Sequence, residues 1–244
     1  MKKAKIYAIS RRTLLTNFII FILVFSVSIM SYFCINLTSA SKIVRGVYYS
    51  GDENSNKVSL MINVYWGTEY IDEILQVLEE NDVSLTFFVG GSWVAKNPEV
   101  LIKIRDAGNE IGNHGYSHKN HKKLSTDANF NEISRTNDAI NAVLHQKTEL
   151  FAPPSGEYGK QTIDVANALG MKVIMWTDGR DTIDWRDKND VDAVYARAIR
   201  NCKGGDFVLM HPTYATTKAL PRIISRLKRD GFLICPVSEN LRQK

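Results

Sequence analysis

The sequence predicts an α/β domain on a mainly parallel sheet, set behind a separate N-terminal segment. Strand-like and helix-like stretches alternate about seven times from residue 57 onward, the pattern of βαβ units and parallel strands. Apolar residues make up 44% and charged residues 23% of the chain, the proportions of an ordinary globular protein. A run of 20 uncharged residues at positions 18–37 sets the first part of the chain apart. A doubly wound sheet and a closed barrel both satisfy the alternation.

Lys2, Lys3, Lys5, Arg11 and Arg12 precede the run FIIFILVFSVSIMSYFCINL. Positive charge before an apolar stretch of that length predicts a membrane segment with its basic end in the cytoplasm. Residues 1–41 are therefore expected to form a basic stub with an anchor or signal segment, and residues 42–244 one domain outside the cytoplasm. Thr38, Ser39, Ala40 and Ser41 offer a cleavage region. The length of the run favours an uncleaved single-pass anchor in the cell membrane; cleavage would make the domain secreted. The formal charge of +5 is otherwise dispersed among acidic residues, which argues against nucleic acid as a partner. Cys202 and Cys235 either pair in an oxidising compartment or stay as buried thiols. The sequence holds no C-x-x-C pattern.

Residues 50–56, SGDENSN, read as a polar turn. Strands are expected at 57–63, 84–89, 110–113, 150–152, 172–176, 206–210 and 232–235, from β-forming composition between turn signals. Ile71, Ile74, Leu75 and Leu78 have helical spacing. Helices are also expected at 98–107, with Pro98 at its start and Gly108 behind it, and at 126–144, 161–169, 191–200 and 217–230. The polar clusters fall just behind strands: Asn63, the stretch from His114 to His118, the Asp178–Trp185 loop, and His211. In (β/α) barrels the loops at the C-terminal ends of strands carry the chemistry.

His114 and His118 stand four apart in H-G-Y-S-H. That spacing lets two imidazoles share a metal from one face of a turn; two surface histidines are the plainer alternative. His121 reads as exposed, with a replacement ligand as the other option. Asp181 and Asp184, in D-T-I-D-W, either orient a histidine or stabilise a turn. His211, ending a strand in F-V-L-M-H-P, suits a general acid because an imidazole titrates near neutrality. Trp66, Trp93, Tyr116 and Trp185 are either sugar-stacking surfaces or core.

Five stretches in order, S-L-T-F-F-V-G-G, A-G-N-E-I-G-N-H-G-Y-S-H, F-A-P-P-S-G, D-T-I-D-W and V-L-M-H-P, resemble the polysaccharide deacetylase family, the NodB homology domain, over residues 44–236. The resemblance implies a distorted (β/α) barrel of about seven strands and metal-dependent hydrolysis of N-acetyl groups on a cell-wall glycan such as peptidoglycan or chitin-like oligomers. The metal implied is divalent, zinc by preference. His114 and His118 match the metal-binding histidines and His211 the acid. Asp184 matches the segment that tunes the acid, and Pro153, Pro154 and Gly156 match the groove loop. Trp185 and Tyr116 are further candidates for substrate contact. The stretch M-I-N-V-Y-W-G-T-E-Y resembles a sporulation-associated branch.

Two departures bear on activity. The family ends its first strand with two aspartates, the general base and the third metal ligand; Asn63 and Val64 stand there in this chain. The family's base-orienting arginine is Ala152. An amide takes no proton from water and valine binds no metal. Since a general base contributes about 10²–10⁴-fold, an impaired member that binds or scaffolds glycan is the alternative reading. Asp178, Asp181 and His121 are the candidates for replacement ligands.

Overall fold

The computed structural model describes residues 11–39 and 46–241. The chain divides into two compact units, Met1–Ile43 and Val44–Lys244. In the first, α1 spans Arg11–Ser39. Its consecutive side chains from Phe18 to Phe25 are mainly large and apolar, and all stand exposed, so the helix is apolar all round rather than along one stripe. Among the residues whose side chains are described, no helix is long and apolar enough to cross a membrane.

The second unit is a curled, parallel half-barrel wrapped in helices. Its strands are β1 (Val47–Tyr48), β2 (Lys57–Val64), β3 (Thr86–Val89), β4 (Glu110–Asn113), β5 (Leu150–Phe151), β6 (Lys172–Ile174), β7 (Phe207–Met210) and β8 (Leu233–Ile234). They lie in the order β1-β6-β5-β4-β3-β2-β7. β8 pairs with the start of β2, Val58 facing Ile234, while β7 takes over from Ser59 onward. The chain leaving β6 crosses to the outer edge of β7. There Thr182 N–H donates to the Leu209 carbonyl at 3.1 Å, and Leu209 N–H donates to the Arg180 carbonyl at 2.9 Å. That crossing covers an edge that would otherwise be open and carries residues 177–185 over the barrel mouth.

The helices are α2 (Ile71–Glu80), α3 (Gly91–Lys96), α4 (Pro98–Asp106), α5 (Thr126–Leu144), α6 (Lys160–Ala168), α7 (Val191–Ile199), α8 (Tyr214–Arg229) and α9 (Val237–Asn240). Alternation along β2 separates two packed layers. Val58, Leu60, Ile62 and Val64 join the large cluster under the helices, with Ile71, Ile74 and Ile223. Met61 points the other way, into an interior cluster with Phe88, Phe207, Leu209 and Ile174. Gly112 is required beside it, because a Cβ there would lie 2.4 Å from the Phe88 ring. At the N-terminal ends of the strands, α9 closes the barrel. Val237 joins the interior cluster, and Asn240 Nδ2 donates to Ser59 Oγ at 3.1 Å.

The strand expected at 110–113 and the helix expected at 126–144 coincide with β4 and α5. Ser125 Oγ caps α5 by accepting from Ala128 N–H. Other expectations shift. α8 begins three residues before 217, because Thr213 Oγ1 accepts from Thr216 N–H and caps the helix there. β1, α3 and α9 were not expected from the sequence; they span two, six and four residues, too short for periodicity to register. Cys202 and Cys235 are both unpaired. Burial pushes their thiols up, to about 12 and about 11, so neither is a ready thiolate.

Candidate active site

β2 delivers Asn63 to the barrel mouth. By alternation Asn63 faces the cavity, whereas Val64, fully buried, packs in the outer layer with Leu60, Ile62 and Val89. Of the two residues, Asn63 alone lines the cavity. The Asn63 Oδ1 is buried and has no hydrogen-bond partner among the described residues. Tyr65, next along the chain, packs its ring against His118 at 4.7 Å. Trp66 stacks on His211 at 5.9 Å and 13°.

β4 delivers His114. Its Nδ1–H donates to the Ala152 carbonyl at 2.8 Å; a carbonyl only accepts, so Nε2 carries the lone pair. Burial, with His118 nearby, lowers its pKa to about 3, and burial lowers that of His118 as well. The turn between them is tied down from α5 and β4. Glu132 accepts from Tyr116 N–H at 2.9 Å and Ser117 N–H at 2.7 Å. Asn113 Oδ1 accepts from Gly115 N–H at 2.8 Å. Gly115 has φ +70, and a Cβ there would lie 2.9 Å from His121 Nε2. His118 has φ +52, a conformation uncommon for a side-chain-bearing residue and held here by its surroundings. The two rings stand 5.2 Å apart at 68°.

β7 delivers His211, and the crossing segment delivers its partner. Asp184 is fully buried. It accepts the His211 backbone N–H at 2.6 Å, the His211 Nδ1–H at 2.8 Å, and the Thr216 hydroxyl. Asp181 Oδ1 accepts from Ile183 N–H at 2.8 Å, forming an Asx turn that holds Ile183 at φ +55. With Nδ1 engaged, His211 Nε2 is the nitrogen left to act on a ligand.

These groups surround one cavity of about 300 Å³, lined also by Trp66, Trp176, Trp185, Ser155, Asp181 and Leu209. Several expectations find other places. The groove loop reaches the cavity through Ser155 rather than through Pro153, Pro154 or Gly156; both prolines are buried. Gly156 acts indirectly, because a Cβ there would lie 2.5 Å from Trp176. Tyr116 stands outside the lining, under the Arg135 guanidinium at 3.8 Å. Trp93 is core, its Nε1–H donating to the Gly67 carbonyl at 2.7 Å. His121 is fully buried rather than exposed; its Nδ1 pairs with Asn129 Oδ1 at 2.7 Å and its ring packs on Phe151. Asp178 is exposed and outside the lining. Ala152 serves the site with its backbone carbonyl alone. Trp176, Ser155 and Glu132 were missed from the sequence. Ser155 sits in left-handed backbone, φ +56, which no sequence signal announces. Trp176 reads simply as a strand end.

The donor set decides what metal the cavity could hold. A catalytic zinc has three protein ligands, commonly including an anionic or third imidazole donor. Of the groups lining the cavity, His114 and His118 offer imidazoles and Asn63 a neutral oxygen, while His211 is held by Asp184 and Asp181 by the Ile183 N–H. Among the described residues no three His, Cys, Asp or Glu side chains come together as a metal-binding group. The residues present do not fit a tightly held catalytic zinc.

Comparisons with known proteins agree with this fold. The family model for polysaccharide deacetylase matches residues 50–174, which includes His114 and His118 and stops before Asp184 and His211. The uncharacterized protein YlxY of Bacillus subtilis (strain 168) is 37% identical over 191 residues, covering 78% of this chain and 59% of that protein. This chain therefore spans less than two thirds of that relative. A peptidoglycan-N-acetylglucosamine deacetylase of Bacillus cereus is 29% identical over 188 residues, covering 75% of this chain and 67% of that protein. Among solved structures, a CE4 family pseudoenzyme from Bacillus anthracis superposes with a TM-score of 0.78 at 41% identity, over 81% of this chain and 69% of that one. The family model spans half of the chain, and the same curled parallel barrel recurs in a solved structure at that identity: this chain belongs to the polysaccharide deacetylase family.

Proposed function

We propose that the domain works on N-acetylated cell-wall glycan of the peptidoglycan type, and that its cavity is laid out for removal of the acetyl group. The observation that carries this is the Asp184–His211 couple at the mouth, with the ring Nδ1–H 2.8 Å from a fully buried carboxylate. Such a pair fixes the ring and leaves Nε2 to donate a proton to the departing amine nitrogen. Trp66 and Trp185, 40% and 47% exposed beside the cavity, supply apolar faces for sugar rings. Zinc is the metal the family resemblance suggests. Among the described residues, His114 and His118 are the imidazoles at the mouth that no carboxylate engages.

A second reading is favoured by Asn63. With no carboxylate there to take the proton from water, turnover by the standard route falls by about 10²–10⁴-fold. The domain then acts as a glycan-binding or scaffolding protein, in keeping with its likeness to a pseudoenzyme. The test measures acetate release from peptidoglycan and N-acetylglucosamine oligomers by the full-length chain, with and without zinc, alongside binding. Release that disappears in His211→Ala supports the first reading. Binding without release supports the second. Neither release nor binding overturns both.

We further propose that residues 18–37 anchor the domain to the cell membrane, facing outward. The support is the run of 20 uncharged residues behind Lys2, Lys3, Lys5, Arg11 and Arg12. A role in sporulation rests on the Met61–Tyr70 stretch alone. Recovery of the intact chain in the soluble cytoplasmic fraction would sink the anchor.

A further inference from the structure

The helical flank of the barrel carries a second, open cleft of about 300 Å³ between α7 and α8. Tyr195 of α7 and Pro221, Arg222, Ser225 and Arg229 of α8 line it, and none of them lines the mouth. Ser225 lies about 14 Å further along α8 than Thr216, the residue that bonds Asp184. α8 carries Lys218, Arg222, Arg226, Lys228 and Arg229 and no acidic residue. Lys218 pairs with Glu73 and Arg226 with Asp230, and Lys228 donates to the Asn81 carbonyl at the end of α2. Cations in a last turn complement the helix dipole, but Arg222 stands before that turn. Arg229 pairs with no carboxylate among the described residues.

Two features set this cleft apart from an ordinary solvated face. Pro221 stands inside α8 and is exposed, so core packing does not explain a residue that costs a helix interior about 3 kcal/mol; it gives the cleft a rigid wall. Arg222 is held in position, its guanidinium 4.3 Å over the Tyr195 ring and its Nη1 donating to Asp192 Oδ1 at 2.7 Å. Asp192 is itself exposed, so that pair is screened, and the other guanidinium N–H groups are left for a ligand. We propose that the cleft binds an anionic phosphodiester polymer, with Arg222 and Arg229 each taking a phosphate and Ser225 donating to an oxygen between them. A guanidinium fork matches two oxygens of a phosphate. The two arginines share one helix face about 10 Å apart along its axis, which suits successive phosphates on one chain. The lining holds no carboxylate to repel that chain and no aliphatic side chain to enter lipid. A carboxylate polymer presents planar groups that one guanidinium satisfies alone, leaving Ser225 without an acceptor. The proposal does not depend on what the mouth binds.

The test is calorimetric titration of the full-length chain, solubilised in mild detergent, with an oligomer of glycerol phosphate. The expected result is binding that weakens as salt rises and falls by about tenfold in Arg229→Gln. Arg222→Gln gives a similar loss, with its fold checked by circular dichroism because it also releases Asp192 and Tyr195. Lys147→Gln removes the same charge from an exposed lysine ahead of β5 and leaves affinity within about twofold. Glycerophosphoglycerol, a single phosphodiester, and polyglutamate of equal charge each bind at least about tenfold more weakly than the oligomer. Equal affinity of Arg229→Gln and the unsubstituted chain overturns the assignment of the cleft. An equal loss in Lys147→Gln reduces the binding to overall charge and overturns it too. Polyglutamate binding as tightly as the oligomer overturns the phosphate chemistry, and equal binding of glycerophosphoglycerol overturns the polymer. No binding of the oligomer overturns the whole proposal and leaves the reading of the mouth untouched.

Discussion

Asp184 holds His211 at two points, accepting its backbone N–H at 2.6 Å and its ring Nδ1–H at 2.8 Å. The same carboxylate accepts the Thr216 hydroxyl near the start of α8, so one buried charge joins the crossing segment, the end of β7 and the helix that follows. Removing it leaves three buried or part-buried donors without their acceptor, at about 1–3 kcal/mol for each. Asp184→Ala is expected to destabilise the domain by several kcal/mol in urea denaturation. Asp184→Asn, which keeps one acceptor, costs less. A midpoint for Asp184→Ala equal to that of the parent chain would show that the couple is not formed.

The two residues ending β2 are expected to respond oppositely to the same substitution. Val64→Asp puts a carboxylate among Leu60, Ile62 and Val89. Burying an unpaired charge there costs several kcal/mol, of order ~5, and the protein unfolds at much lower urea. Asn63→Asp faces the cavity, leaves the core intact, and adds an anionic donor beside His114 and His118. Zinc uptake by Asn63→Asp, read by competition with a chromophoric chelator, is expected to exceed that of the parent chain. Equal stability of the two variants contradicts the assignment of Val64 to the core.

Acid is expected to loosen this domain through its buried imidazoles. Burial lowers the His114 pKa from 6.5 to about 3, and lowers those of His118 and His121 in the same direction. Below the unfolded value the unfolded chain takes a proton that native His114 refuses. The unfolded state then binds more protons, so stability is lost as pH falls from about 6.5 toward about 3. Each such group contributes up to about 1.4 kcal/mol per pH unit within its window. His114→Asn keeps a donor for the Ala152 carbonyl and flattens the profile. Denaturation in chelator between pH 7 and pH 4 checks this; a flat profile for the parent chain contradicts it.

Gly156 is expected to control affinity through Trp176. Its φ is +68, and a Cβ would lie 2.5 Å from the indole. Gly156→Ala meets both backbone strain and that contact, for about 1–3 kcal/mol. Displacement of Trp176 lowers affinity for the N-acetylglucosamine trimer more than it lowers the thermal midpoint of the fold. Unchanged affinity would remove Trp176 from the binding surface.

The strands and long helices were legible because burial writes itself as period. β4 and α5 have bounds that turn residues and a serine cap declare in the sequence. His114, His118, Asp184 and His211 were legible because each follows a strand in a parallel sheet, where the C-terminal ends gather polar groups. What escaped depends on direction and on contacts distant in sequence. The outward turn of Val64 follows from β2 continuing its alternation to the last residue, beyond the expected end at residue 63. Glu132 looks like one more acidic residue on α5, yet it accepts two N–H groups from the histidine turn. His121 reads as the end of a polar stretch and is instead enclosed with Asn129 and Phe151. Ser155 and Trp176 enter the cavity through a left-handed residue and a missing Cβ, neither of which has a periodic signature.

The chain has four tryptophans, and they divide cleanly. Trp66, Trp176 and Trp185 line the cavity, whereas Trp93 is buried with its Nε1–H on the Gly67 carbonyl. Indole N–H signals in a nitrogen-15 correlation spectrum, followed as the N-acetylglucosamine trimer is added, therefore test directly where glycan is engaged. The account expects the signals of Trp66, Trp176 and Trp185 to move together while that of Trp93 stays in place. Movement of Trp93 alone, or saturating binding that moves none of the three, would contradict it.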